Sequence, residues 1–265
     1  MRLSADDAED VEDVGALLAV APARRRGDEA AVAAAGPRRG REGRALVRLD
    51  DLDRRPAEVE LVPGGNGIVN YGGTIPFPIP HNGLEAIWNH IGRWRGDSLE
   101  RTIGQVTPQA NGNYSMVMFN DQLAVTNQLT DYVPGEDDNV MFYFKQQVTA
   151  PARLAGNVLL VHETIDQVKE PRRAWIYNAG QRRVRRAPQV AYDGPGTASD
   201  GMRTADNFDL YNGSPDRYEW TLKGKKEMYV AYNSYELDKK GVPYDDMIMA
   251  GHINQDMARY ELHRV

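Results

Sequence analysis

The chain has 265 residues, a formal net charge of -6 and no cysteine. That length can bury a sizeable core, in one large domain or two small ones. The charge speaks against non-specific nucleic-acid binding by the whole chain, and the lack of thiols excludes disulfides, thiolate metal sites and thiol catalysis.

No stretch approaches the ~20 apolar residues of a membrane-spanning helix. Asp6, Asp7, Glu9 and Asp10 stand where a signal peptide carries basic residues, and Gly15 to Val20 is too short for its apolar segment. No export signal is expected in the chain as written.

Residues 1–57 combine Arg24-Arg25-Arg26, the alanine-rich run Ala30 to Ala35 and scattered acids, and Tyr71 is the first aromatic residue. Such a segment buries too little apolar area to offset its ordering entropy. A low-complexity, disordered arm is expected there, with a globular domain over 58–265. The interleaved acids argue against an anion-binding role for the arm.

Gly64-Gly65-Asn66-Gly67 predicts a turn with positive φ angles. It is no phosphate loop, because no Lys-Ser/Thr pair follows. Pro76, Pro78 and Pro80 alternate with Phe77 and Ile79, which predicts a stiff strap packing both apolar side chains into the core. Asn82 and Glu85 make a capping-box-like pair. Leu84, Ile87, Trp88 and Ile91 follow at helical spacing on one face, and Gly92 or Gly96 ends the helix.

Alternation then predicts strands over 113–120, 139–148, 157–165, 174–177, 181–186, 218–222, 227–232 and 258–263, separated by turn signals such as Asn111-Gly112 and Asn212-Gly213. Short connections imply an antiparallel meander. The expected fold is mainly β (α+β): a curved antiparallel sheet, or incomplete open β-barrel, with the short helix packed on its concave side. Met116, Met118, Met141, Phe142 and Phe144 would line that concavity if they face inward.

Catalytic motifs do not stand out. The five histidines, at 81, 90, 162, 252 and 263, form no H-x-x-x-H or H-E-x-x-H pair, and no serine sits in G-x-S-x-G. The acidic loops at 136–138, 206–209 and 245–246 lack the order of a calcium loop and are expected to be solvated. No cofactor or metal site is expected. Arg182-Arg183-Val184-Arg185-Arg186 is the densest basic run; on a strand, Arg183 and Arg185 share one face and Val184 and Arg186 the other. Arg183, Arg185 and Arg186 are candidates for an anionic head group or an acidic partner at the sheet rim.

Four stretches together are familiar: GGNGIVNYGGTIPFPIPHNGLEAIWNHIGRWRG, AWIYNAGQRRVRRAPQVAYD, SDGMRTADNFDLYNGSPDRYEW and GHINQDMARYELHRV. From about Val62 to Val265 the chain resembles the exported proteobacterial family called domain-of-unknown-function family number 1329, grouped with outer-membrane lipoprotein-sorting proteins of LolA/LolB type. The resemblance implies an open antiparallel barrel whose helices plug a hydrophobic cavity. It also implies a periplasmic or outer-membrane-associated carrier of an apolar molecule, working beside an export pump or outer-membrane channel, and it brings no catalytic residues. Residues 1 to about 57 depart from the family, with the composition of a GC-rich gene in a shifted frame, and the chain is expected to be an internal fragment.

The expected function is therefore a non-enzymatic carrier or chaperone for a lipid, lipoprotein or other hydrophobic cargo. Its candidate lining is Phe77, Leu84, Ile87, Trp88, Ile91, Met116, Met118, Phe142 and Phe144, with the helix as a swinging cover. The alternatives are an envelope interaction protein whose core is filled by its own side chains, and a lipid or glycan hydrolase.

Overall fold

A computed structural model of the chain describes residues 59–71, 75–96, 98–129, 139–237 and 239–265. The expected arm over 1–57 and the acidic loop at 136–138 lie outside the described residues. A minimal hairpin, β1 (Glu60–Leu61) and β2 (Ile68–Val69), leads into helix α1 (Gly83–Ile91). Six strands follow in one antiparallel meander: β3 (Ser98–Pro108), β4 (Tyr114–Val125), β5 (Val140–Ala150), β6 (Val158–Thr164), β7 (Arg173–Asn178) and β8 (Arg183–Arg186). Their spatial order is their chain order, and among the described residues the sheet does not close into a barrel.

Beyond a long irregular stretch, β9 (Glu227–Asn233) pairs with β12 (Arg259–Arg264) as a separate ribbon. Between them lie the one-turn helix α2 (Tyr244–Met247) and the short pair β10 (Ile248–Met249) and β11 (His252–Ile253).

Strand register fixes which side chains share a face, because the side-chain period is two. Ile103 pairs with Phe119, Phe119 with Val148, Leu123 with Phe144, Phe144 with Val161, and Val161 with Ala174. These residues belong to the buried or half-buried apolar clusters or lie beside them, and define the inner face. A polar row crosses the same face: Arg101 pairs with Asp121 and Asp121 with Gln146. Asp121 is 1% exposed, accepts from Gln146 Nε2 at 3.0 Å and meets Arg101 Nε at 3.3 Å. A buried carboxylate on a sheet needs such partners to be tolerated.

The stretch 187–222 lies against the inner face instead of forming a strand. Ala187 and Val190 join the cluster around Leu159 and Val161, and Ala198 joins the one around Phe119. Gln105 Nε2 donates to the Thr197 carbonyl at 2.9 Å, and the Phe208 ring lies 6.1 Å from that of Phe144. The expected strand at 218–222 is irregular backbone. Trp220 is held there by its indole N–H on the Pro215 carbonyl (2.9 Å) and by edge contact with Tyr211 (4.9 Å). Strand β3 lacks a sequence expectation because its inward positions include Arg101 and Gln105, whose partners are the distant Asp121 and Thr197.

Candidate functional site

The capping expected at α1 is present. Asn82 Oδ1 accepts from the Glu85 N–H at 2.9 Å, and Glu85 reaches back to the His81 N–H at 2.6 Å. Gly92 ends the helix, its N–H donating to the Trp88 carbonyl at 2.8 Å. Trp88 and Ile91 are buried against Ile68, Met141 and Tyr211, with Phe77, Ile87, Phe142 and Trp220 around them. Burial of two such side chains stabilises by roughly 2–3 kcal/mol each. Trp88 has no exposed surface, and its indole N–H donates to the Gly65 carbonyl at 2.8 Å. Gly64 and Gly65 have φ of 87° and 78°, the left-handed conformation the turn requires.

The proline strap is pinned by one side chain. Asn89 Oδ1 accepts from the Phe77 N–H at 2.8 Å, and Asn89 Nδ2 donates to the Phe77 carbonyl at 2.6 Å. Pro76 is buried and Phe77 packs on the helix cluster, but Ile79 is 77% exposed. The expectation that Ile79 enters the core is corrected: Pro76 and Phe77 turn inward, and Ile79 faces solvent.

The interior beneath α1 is occupied by the chain itself. Phe77, Leu84, Ile87, Trp88, Ile91 and Phe142 gather around this helix, with Leu84 close against Gly65. Phe144 lies further along the inner face, under Phe208. Met116 and Met118 are elsewhere. Gly104 pairs with Met118 and Val106 with Met116, so both methionines lie on the opposite face of the sheet, over Gly104. The nine candidate lining residues thus do not share one surface. Arg183 and Arg185 are exposed on the inner-face side of edge strand β8, while Arg186 lies on the other side, 5.7 Å over the Trp175 ring.

A recess opens where α1 ends. Tyr71, Arg93, Trp94, Arg95, Leu123, Val125, Met141 and Phe142 line it, and its volume of about 20 Å³ holds one water-sized guest. Two guanidiniums flank it, and both cap the helix: Arg93 Nη1 donates to the His90 carbonyl and Arg95 Nη1 to the Ile91 carbonyl, each at 2.8 Å. Both also hold one carboxylate. Arg93 Nη2 forks onto the two Asp209 oxygens at 2.5 and 2.6 Å, and Arg95 Nη2 reaches Asp209 Oδ2 at 3.2 Å. Arg95 further lies 5.9 Å over the Phe142 ring.

Burial pushes the Asp209 carboxyl up, but the hydrogen bonds and charges of Arg93 and Arg95 outweigh it and hold its pKa below the usual carboxylate value. Burial, then the neighbouring Arg93 charge, lowers Arg95. The Tyr71 hydroxyl donates to the Gly92 carbonyl, and burial pushes it up to about 12 against the opposing charge of Arg95.

The sequence profile described as "Protein of unknown function (DUF1329)" matches residues 49–265. The chain belongs to this family. A relative, the uncharacterized protein PA3922 of Pseudomonas aeruginosa, is 64% identical over 212 residues, which make up 80% of this chain and 47% of that protein. The chain therefore spans about half the length of this curated relative. A crystal structure of a DUF1329 family protein from Desulfovibrio piger aligns over 49% of this chain and 48% of its own, with 19% identity and a TM-score of 0.35.

In this DUF1329 chain, the residues that sequence reasoning missed are Arg93, Arg95 and Asp209. Arg93 and Arg95 sit two apart at the helix end, inside the stretch with the most specific resemblance, and were overshadowed by the denser run at 182–186. Asp209 lies in one of the acidic loops expected to be solvated. Its partners are more than 110 residues away in the chain, and no local pattern links them.

Proposed function

We propose that this DUF1329 chain is part of a non-enzymatic carrier or chaperone of the cell envelope, acting in the periplasm or at the outer-membrane periphery on a lipid, lipoprotein or other hydrophobic cargo. The single observation that carries this reading is the recess at the end of α1: apolar walls from Leu123, Val125, Met141 and Phe142, with two arginines at its edge. Apolar area removed from water there favours an acyl guest by ~25 cal/mol per Å². Kinship with LolA/LolB-type open barrels, and an export pump or outer-membrane channel as partner, belong to the same proposal.

The guest's place differs from the sequence expectation. A swinging α1 would have to break the Trp88–Gly65 hydrogen bond and the double contact of Asn89 with Phe77, and expose a fully buried indole. Opening the Asp209 ion pairs beside the helix end breaks only partly exposed contacts.

One observation favours a second reading, an envelope interaction protein with a filled interior. The inner face is already covered by 187–222, and the recess is far smaller than an acyl chain. Titration of the delipidated chain with a fluorescent fatty acid separates the two. Saturable capture that Phe142→Trp or Leu123→Trp blocks supports the carrier; no capture at micromolar protein leaves the filled-core reading.

A further inference from the structure

The ion pair beside the recess has the chemistry of a ligand head group. Asp209 presents one carboxylate to two guanidiniums, forked onto Arg93 and shared with Arg95. Two positive charges thus meet a single negative one, and among the described residues no second acid reaches either arginine.

The loop that delivers this carboxylate is held in an unfavourable conformation. Asp209 and Leu210 are consecutive non-glycine residues at φ 59° and 69°. Aspartate tolerates the left-handed region, but a leucine there is strained. Leu210 is 85% exposed, so no burial of its side chain offsets that cost. What holds the turn is polar: the clamp on Asp209, and His90 Nε2 bridging the carbonyls of Asp209 and Tyr211 at 2.9 and 3.1 Å. The Asp209 and Arg93 side chains each keep about a third of their surface in solvent, at 36% and 37%, so an incoming anion reaches them without unfolding the core. Behind them the recess offers Phe142, Met141, Val125 and Leu123 to an apolar tail.

We propose that Arg93 and Arg95 form the head-group site of an acidic amphiphile, a molecule with one carboxylate or phosphate and an acyl tail, and that Asp209 is an internal stand-in which such a ligand displaces. The displaced carboxylate turns to solvent, the Leu210 turn relaxes, and the tail enters the widened recess. This deepens the carrier reading and rests on it. Net charge at the clamp selects the acid over an uncharged amphiphile, and the strain in the turn lowers the cost of releasing Asp209 when such a head group arrives.

The test uses the full 265-residue chain, delipidated, with two fluorescent probes of equal tail length: a fatty acid and its methyl ester. Asp209→Asn keeps the side-chain shape and tolerates the left-handed turn, but removes the competing charge. It is expected to tighten the acid about tenfold and leave the ester unchanged. Arg93→Gln with Arg95→Gln is expected to erase the preference for acid over ester. A matching phosphate-headed probe reports which acidic head group the pair prefers; tightening of either one by Asp209→Asn supports the site. If Asp209→Asn leaves the binding of both acidic probes unchanged, or tightens the ester along with them, the inference is overturned while the carrier reading stands. If no variant takes up any probe, the carrier reading falls and the inference with it.

Discussion

Glu163 and Arg172 form an ion pair 2.5 Å apart with almost no access to water, at 3% and 8% exposure. The carboxylate also accepts from Gln167 Nε2 at 3.0 Å, and the guanidinium reaches the Val190 carbonyl at 3.3 Å and the Asn212 side chain. The pair therefore ties the end of β6 to both flanks of the covering stretch 187–222. A buried pair is tolerated only while both charges and their hydrogen bonds are satisfied. Glu163→Gln or Arg172→Met alone strands a charge or removes its partner, and each is expected to destabilise by about 3–5 kcal/mol. Glu163→Gln with Arg172→Met is expected to cost less than the sum of the single changes. Urea unfolding of the four chains measures the coupling; simple additivity would mean that the pair does not act as a unit.

Helix propensity alone gives the wrong sign at Gly83. Alanine in place of glycine in a helix is worth about 1 kcal/mol, and Gly83 is the first residue of α1. A Cβ at this position would lie 2.2 Å from the Trp220 carbonyl carbon and 2.3 Å from its oxygen. That backbone is fixed by the Trp220–Pro215 hydrogen bond and the ring contact with Tyr211. Gly83→Ala is expected to lower the urea midpoint, with a net loss of about 1–3 kcal/mol from overpacking. A raised midpoint would show that 218–222 does not press on the helix start.

What was legible in the sequence, and what was not, follows the range of the forces involved. Asn82, Glu85 and the stripe Leu84, Ile87, Trp88 and Ile91 signal within one helix, and both the cap and the apolar face are present. Alternation in β4 to β9 and β12 is likewise local and gave those strands to within a few residues, though β4 extends to Val125. Strand β3 escaped because Arg101 and Gln105 break its inward apolar pattern and find partners far along the chain. The segment YEWTL at 218–222 has strand-like residues, yet its rings cluster with Tyr211 instead of entering a ladder. Met116 and Met118 were placed with Phe142 and Phe144 because apolar type does not encode face; only the register of β3, β4 and β5 separates them.

Asn89 joins the proline strap to α1 through both of its amide groups. Asn89→Leu keeps a similar volume and leaves the Phe77 N–H and carbonyl without those partners. The expected loss is about 1–3 kcal/mol, since partly buried polar groups go unsatisfied. Amide exchange locates the effect: the Phe77 N–H should lose protection while amides in the middle of β5 and β6 keep theirs. Uniform loss across the sheet would mean that the strap is not a separable unit.

Two titrating groups beside the recess act on opposite limbs of the pH–stability curve. Tyr71 has its pKa pushed up to about 12 by burial, whereas an unfolded tyrosine titrates near ~10. Its contribution is complete below the unfolded value and is lost as pH rises through the folded one. The buried Tyr211 is shifted in the same direction. Asp209 is held below the ordinary carboxylate value, so its contribution is present above the unfolded value near ~4 and is lost as pH falls through the folded one. Tyr71→Phe should therefore flatten the alkaline limb only in part, because Tyr211 remains, and leave the acid limb unchanged. Asp209→Asn should flatten the acid limb and leave the alkaline one alone. Urea midpoints from pH 2 to 11 for the three chains test both assignments. A Tyr71→Phe chain with the full alkaline slope would mean that its hydroxyl is not buried against the Gly92 carbonyl. An Asp209→Asn chain with the full acid slope would mean that the clamp on Arg93 and Arg95 does not hold the carboxylate in its charged form.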